Sequence, residues 1–205
     1  MTGFIETLKT QRWDDHRYYH HSLVNQSLHL LSAGSFLVAY GVLFWDPPTA
    51  ALIAWMVSMT SRQIGHFFFE PKGWDEMNQA THEYKEAIKV GYNLKRKAVL
   101  LLIWALSPLV LYFEPTLFGL MRPRSGLAGF LRQVGQMWFV IGVSGLLFRT
   151  VQLFFLRDVL TGLAWATKIL TDPINDIKLY YRAPLQLLRR ALEDDEDVVA
   201  AEQHG

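Results

Sequence analysis

Hydrophobic positions along the 205-residue chain gather into four long runs separated by polar connections. Leu28–Trp45 carries His29 as its only side chain that titrates near neutral pH, and Ala50–Phe69 is interrupted by Arg62 and His66. Ala98–Phe113 holds no charge, and Val134–Leu156 holds only Arg149. Each run approaches the roughly 20 residues that cross about 30 Å of hydrocarbon, the third being the shortest. A soluble helical bundle of this size would have to hide all four runs in one small core. The expected fold is therefore all-α: a polytopic membrane helical bundle of about four transmembrane helices, at 28–45, 50–69, 98–113 and 134–156.

The connections sharpen that picture. Pro47 and Pro48 cannot continue a helix and restrict Asp46 before them, so "WDPPT" predicts a tight turn and an antiparallel hairpin of the first two spans. The segment from Glu70 to Lys97 reads as a charged connection, helical from about Asp75 to Lys89. Beyond Leu156, Pro173 and Pro184 divide a mixed apolar and basic stretch into short pieces, expected as interfacial helices over about 157–192. The acidic run at 193–205 reads as a disordered tail, and 1–192 as a single membrane-embedded domain.

Charge placement orients the bundle. With four crossings, the N-terminal segment, the 70–97 connection and the tail share one face and carry fifteen Lys and Arg, against three on the other face. The positive-inside rule then puts both termini in the cytoplasm, and the expected location is a bacterial-type inner membrane. The N-terminal segment has no apolar core of the kind a cleavable signal peptide needs. A formal net charge of +1 argues against a nucleic-acid partner, and the absence of cysteine excludes thiolate metal sites and a cysteine nucleophile.

Candidate chemistry concentrates in "YYHHSLVNQSLHL", Tyr18–Leu30, at the mouth of the first span. His29 lies 17 residues before Asp46 and His66 lies 18 after Pro48, so both sit roughly 26 Å from the turn, at one depth near the cytoplasmic boundary. By the same count Asn25 is expected opposite Glu70. Asn25 and His29 share a helix face, as do Arg62 and His66. Ser22 is a candidate N-cap, which leaves His20 and His21 on the segment before the helix.

These residues admit more than one reading. His29 and His66 are metal or haem ligands, or they hydrogen-bond the hairpin together. His20 is a further candidate metal ligand, His21 a solvated neighbour or a ligand, and His82 either a ligand or a surface residue. Glu70 is a ligand, an orienter of an imidazole or a helix-end charge. Arg62, one turn deeper than His66, is a candidate partner for a substrate carboxylate. Phosphate-binding, dinucleotide, hydrolase and HExxH zinc motifs are absent, as are the paired HxxHH boxes of membrane desaturases.

At these residues the sequence resembles the membrane 2-hydroxy-fatty-acid dioxygenases, the fungal type that shortens the phytosphingosine-derived 2-hydroxy acid, together with bacterial relatives. The first part of the pattern reads His20-HSLV-Asn25-QSL-His29, and the second Gly65-His66-FFF-Glu70-Pro71-Lys72. The resemblance covers about residues 16–72, with only 36 residues between His29 and His66 where the family has a longer interval. It implies an Fe(II)-dependent oxygenase that uses O2 to shorten a 2-hydroxy fatty acid by one carbon without an organic cofactor. It further implies His20, His29 and His66 as metal ligands, with Asn25 and Glu70 as site residues.

The expected function is thus a non-haem iron dioxygenase of a 2-hydroxy fatty acid or similar lipid. His82 or Glu70 would complete the ligand set, and Arg62 or Lys72 would neutralise substrate charge. Zn or another divalent ion suits the same donors. Two alternatives stand beside it: a membrane b-type cytochrome with His29 and His66 as haem ligands, and a non-catalytic lipid-binding membrane protein.

Overall fold

The computed structural model describes residues 3–70, 73–91 and 94–203. These residues are helical throughout apart from turns, and their one extended contact is a bridge between Asp75 and Ala80. The expected all-α fold is observed.

Helix α1 (Phe4–Tyr19) ends at His20, whose backbone leaves the helical region at φ −114°, ψ 52°. Two residues later Ser22 caps α2 (Leu23–Leu43), its hydroxyl accepting the Asn25 N–H at 3.0 Å. His20 and His21 therefore sit in a tight break between two helices. Asp46 caps α3 (Pro47–Ile53), accepting from the Thr49 hydroxyl at 2.8 Å, so the two prolines open the returning helix instead of merely ending the outgoing one. A π-helical stretch (Ala54–Met59) joins α3 to α4 (Thr60–Phe68) without leaving helical geometry. Thr60 and Ser61 hydroxyls donate back to the carbonyls of Trp55 and Val57 in this widened turn. The hairpin expected from "WDPPT" is formed, with α2 packed on α3 and α4.

The connection after α4 differs from expectation. Asp75–Ala80 is a turn closed by reciprocal backbone bonds of 3.0 and 3.2 Å, and helix begins only at α5 (His82–Ile88), capped by Thr81. Helix α6 (Leu94–Phe113) runs through Pro108. The Trp104 carbonyl, which that proline cannot serve, accepts the Ser107 hydroxyl at 2.7 Å. Helix α7 (Gly126–Leu156) follows, at 31 residues or roughly 46 Å.

The C-terminal part also departs from the reading as short interfacial pieces. Helix α8 (Val159–Tyr180) continues through Pro173 and packs against α1, α2 and α7, with Lys168, Asp172 and Asp176 buried. Polar residues expected to face water instead find partners inside the bundle. Helix α9 (Ala183–Gln203) packs on α2, and its backbone carries the acidic run as helix to Gln203 where a disordered tail was expected.

Three helices are long and apolar enough to cross a membrane: Leu23–Leu43, Lys95–Phe113 and Gly126–Leu156. Only 22%, 11% and 17% of their most apolar windows are buried within the protein, so most of their large side chains need a lipid environment. The chain is a helical membrane protein. The second expected span, 50–69, lies in the α3–π–α4 rod, whose last part is loaded with Arg62, Gln63 and His66.

The apolar core lies toward the "WDPPT" end, where Ala51, Leu111, Val134, Met137 and Trp138 are buried together. Trp55 stacks on Trp104 at 5.3 Å, and Trp104 lies 5.0 Å from Trp138. There α3 and α7 touch backbone to backbone: a Cβ on Gly135 would lie 2.3 Å from the Pro48 carbonyl oxygen. Gly135→Ala must push two helices apart and is expected to destabilise the protein by about 1–3 kcal/mol. A thermal unfolding series in detergent, with a lowered midpoint for the variant, checks this.

Candidate metal centre

His20 from the α1–α2 break, His29 from α2 and His66 from α4 converge at the polar end of the hairpin. One nitrogen from each lies within 4.8 Å of the other two. The His29 and His66 rings meet face to edge and His20 is tilted against both, with centroids 3.9 Å (His20–His29), 5.0 Å (His29–His66) and 5.5 Å (His20–His66) apart. All three are buried, at 3%, 0% and 4% exposure. Burial holds the His20 imidazole well below the usual histidine range, so it is neutral at physiological pH and its lone pair is available.

The outer nitrogens have partners. His20 Nδ1 is 2.8 Å from the Tyr180 hydroxyl, and His66 Nδ1 is 2.8 Å from Glu70 Oε2. His29 Nδ1 faces Asp176 Oδ2 at 3.7 Å. On two of the rings the other nitrogen has none: His20 Nε2 and His29 Nε2 are buried without a hydrogen-bond partner, and His29 Nδ1 has only the 3.7 Å approach of Asp176. An unsatisfied buried polar atom costs about 1–3 kcal/mol, and two of them where three imidazoles converge are explained by a shared positive ion. Ligand nitrogens about 2.0–2.1 Å from one ion would draw the rings closer by small side-chain rotations. The residues fit a divalent metal, and the outer partners are the kind that orient metal-bound imidazoles.

The remaining expected site residues fall as follows. Glu70 lies just past α4 and orients His66 instead of joining the ligand group, with Lys89 Nζ 3.3 Å from its other oxygen. Asn25 does not meet Glu70. Its amide donates to the Tyr19 carbonyl at 2.8 Å and fills the space beside Gly65, where a Cβ would come within 2.2 Å of Asn25 Oδ1. The depth count paired Asn25 with Glu70, but α4 stops at Phe68 and Glu70 turns back onto its own helix end. Arg62 is occupied by Asp176 at 3.1 Å and Asp172 at 3.8 Å, so it is not poised for a substrate carboxylate. His82 begins α5 outside the histidine group, and His21 faces Asp75 at 3.6 Å. Lys72 lies outside the described residues.

Sequence reasoning missed α8. Lys168, Asp172, Asp176 and Tyr180 recur at spacing four along one face of the helix, and that periodicity was the available signal. Lys168 bridges Asp15 (2.9 Å) and Asp172 (2.5 Å), while Arg12 bonds Thr171 at 2.6 Å. The network balances three cations (Arg12, Arg62, Lys168) against three carboxylates (Asp15, Asp172, Asp176). Such buried charges are tolerable only when each is paired.

Comparison with known proteins finds no counterpart: no family model, no curated protein and no solved structure matches the chain. Fold and site therefore define the class by themselves. It is an all-α membrane protein with a buried group of three histidines that can hold a metal ion.

Two predictions follow from the placement. His29→Ala is expected to abolish stoichiometric metal binding while His82→Ala leaves it intact, as read by elemental analysis of purified protein. Gly65→Ala is expected to weaken metal binding at least tenfold, because the new methyl must displace Asn25 and crowds His29; chelator competition measures it.

Proposed function

We propose that the protein is an integral-membrane, Fe(II)-dependent oxygenase that shortens a 2-hydroxy fatty acid, or a lipid with the same head group, by one carbon. The observation that carries the proposal is the buried three-imidazole group with unpartnered inner nitrogens, set at the polar end of a lipid-exposed hairpin. Imidazole donors suit iron and zinc alike. Iron is assigned because Fe(II) changes valence and so supplies the one-electron steps that O2 needs to react with a closed-shell acid.

The reaction balances without another reductant. R–CH(OH)–COOH and O2 give R–COOH, CO2 and H2O, with C1 and C2 together losing the four electrons that O2 gains. The protein's own part is positioning and exclusion. Tyr180, Asp176 and Glu70 hold the ring planes, and burial of all three imidazoles keeps bulk water away. The apolar flanks of the bundle would receive the acyl chain. Arg62, paired with two carboxylates, serves to hold α8 in place, not to meet the substrate. With the α3–α4 rod as a fourth crossing, the fifteen-to-three distribution of Lys and Arg supports cytoplasmic termini and a substrate taken from the cytoplasmic leaflet.

A haem held between His29 and His66 would need its porphyrin between the two rings. The His20 ring, 3.9 Å from His29 and 5.5 Å from His66, stands in that region. Protein loaded anaerobically with Fe(II) and then given 2-hydroxypalmitate and O2 is expected to yield the C15 acid, detected by mass spectrometry, with one O2 consumed per acid. Absence of product with iron demonstrably bound would overturn the substrate assignment, and a Soret band would overturn the non-haem assignment.

A further inference from the structure

We propose that Tyr180 is the residue that prepares His20 for the metal, through a directed hydrogen-bond chain from His20 through Tyr180 to His16. The inference rests on the metal-binding part of the function proposed above and not on the substrate. The Tyr180 hydroxyl lies 2.8 Å from His20 Nδ1 and 2.9 Å from His16 Nδ1, and the residue is 1% exposed. Its ring stands edge-on to His20 at 5.7 Å and stacks on His16 at the same distance, so packing as well as hydrogen bonding holds the phenol between the two imidazoles.

A phenol has one proton to give and lone pairs to receive. Between two Nδ1 atoms it can donate to one only, and the other imidazole must donate to it. Two directions are therefore open. If Tyr180 donates to His20 Nδ1, His20 as a neutral imidazole carries its proton on Nε2, the position a metal would need. If His20 donates from Nδ1, its Nε2 lone pair is free and faces His29 and His66. The Tyr180 proton then has one acceptor, His16 Nδ1, so His16 must carry its own proton on Nε2. A cation at the three histidines selects the second direction along the whole chain, with no group gaining or losing net charge.

This gives Tyr180 a positioning role that a purely structural tyrosine would lack. It also makes occupancy of the buried centre visible at His16, a half-buried residue on α1. His66 Nδ1 bonds the Glu70 carboxylate, which only accepts and so needs no such selection, and His29 Nδ1 faces the Asp176 carboxylate at 3.7 Å. His20 alone is paired with a group that can point either way.

The test uses the full-length protein in detergent with Zn(II) as the probe. Tyr180→Phe is expected to weaken zinc binding 10–100-fold by chelator competition, the range seen when partners of metal ligands are removed. In 15N-histidine-labelled wild-type protein, zinc is expected to convert His16 to the Nε2–H tautomer, and in Tyr180→Phe to leave His16 unchanged. Equal affinity of the two proteins, or an Nδ1–H His16 in zinc-loaded wild type, overturns the proposal while leaving metal binding standing. Wild-type protein that takes up no zinc or iron overturns the metal reading, and this one with it. The wild-type tautomer measurement decides even if the variant fails to fold.

Discussion

The polar interior depends on the ion pairs between Arg62 of α4 and the two acids of α8. Arg62 reaches Asp176 at 3.1 Å and Asp172 at 3.8 Å in a region from which water is largely excluded. Removing one partner of such a buried set costs about 3–5 kcal/mol, because the charge left behind has nowhere to go. The same pairing sets the register of α8 against the hairpin. With Asp176 drawn to Arg62, that carboxylate also faces His29, and Tyr180, one turn on, arrives at His20. The orientation of two of the three imidazoles is thus coupled to one guanidinium.

The molecule divides its burdens along the helix axes. Toward the "WDPPT" end, packing is tryptophan stacking, small-residue contacts and hydroxyls that satisfy carbonyls exposed by proline, with the Arg132–Asp46 ion pair kept at the surface of the turn. Toward the other end, histidines and paired charges crowd together beneath a strap made by residues 73–91. Lys89 in that strap contacts Glu70 and lies 3.6 Å from the Tyr19 ring centroid, while the Tyr19 hydroxyl donates to the Lys85 carbonyl at 2.6 Å. A charged group is costly within hydrocarbon and cheap at its edge. That difference lets a dense polar site coexist with helices whose surfaces are almost wholly apolar.

Much of this was legible in the chain. Four apolar runs and a double-proline turn lead to a hairpin, and equal counts from that turn bring His29 level with His66, where the structure has them. Ser22 marked the start of α2 and so separated His20 from the helix it precedes. The counting failed where the helix itself failed: α4 ends at Phe68, so Glu70 could not stand opposite Asn25, and Gly65 took that place. It failed again at Pro173, where a rule about isolated helices met a helix held in place by its packing on α1, α2 and α7. Tyr40 donates to the Leu170 carbonyl at 3.1 Å, just before the proline.

The sequence by itself determined the helical class, the membrane-spanning character of its apolar runs and the identity of the histidines that share a depth. Those follow from periodicity, run length and rise per residue, which are local quantities. Only the tertiary structure decided which second groups hold those histidines. Tyr180 and Asp176 lie about 150 residues from the ligands they address, and no local rule ties one polar stripe to another across that distance. Their meeting is settled by the requirement that every buried charge find its opposite, and that requirement is met only when the whole bundle is assembled.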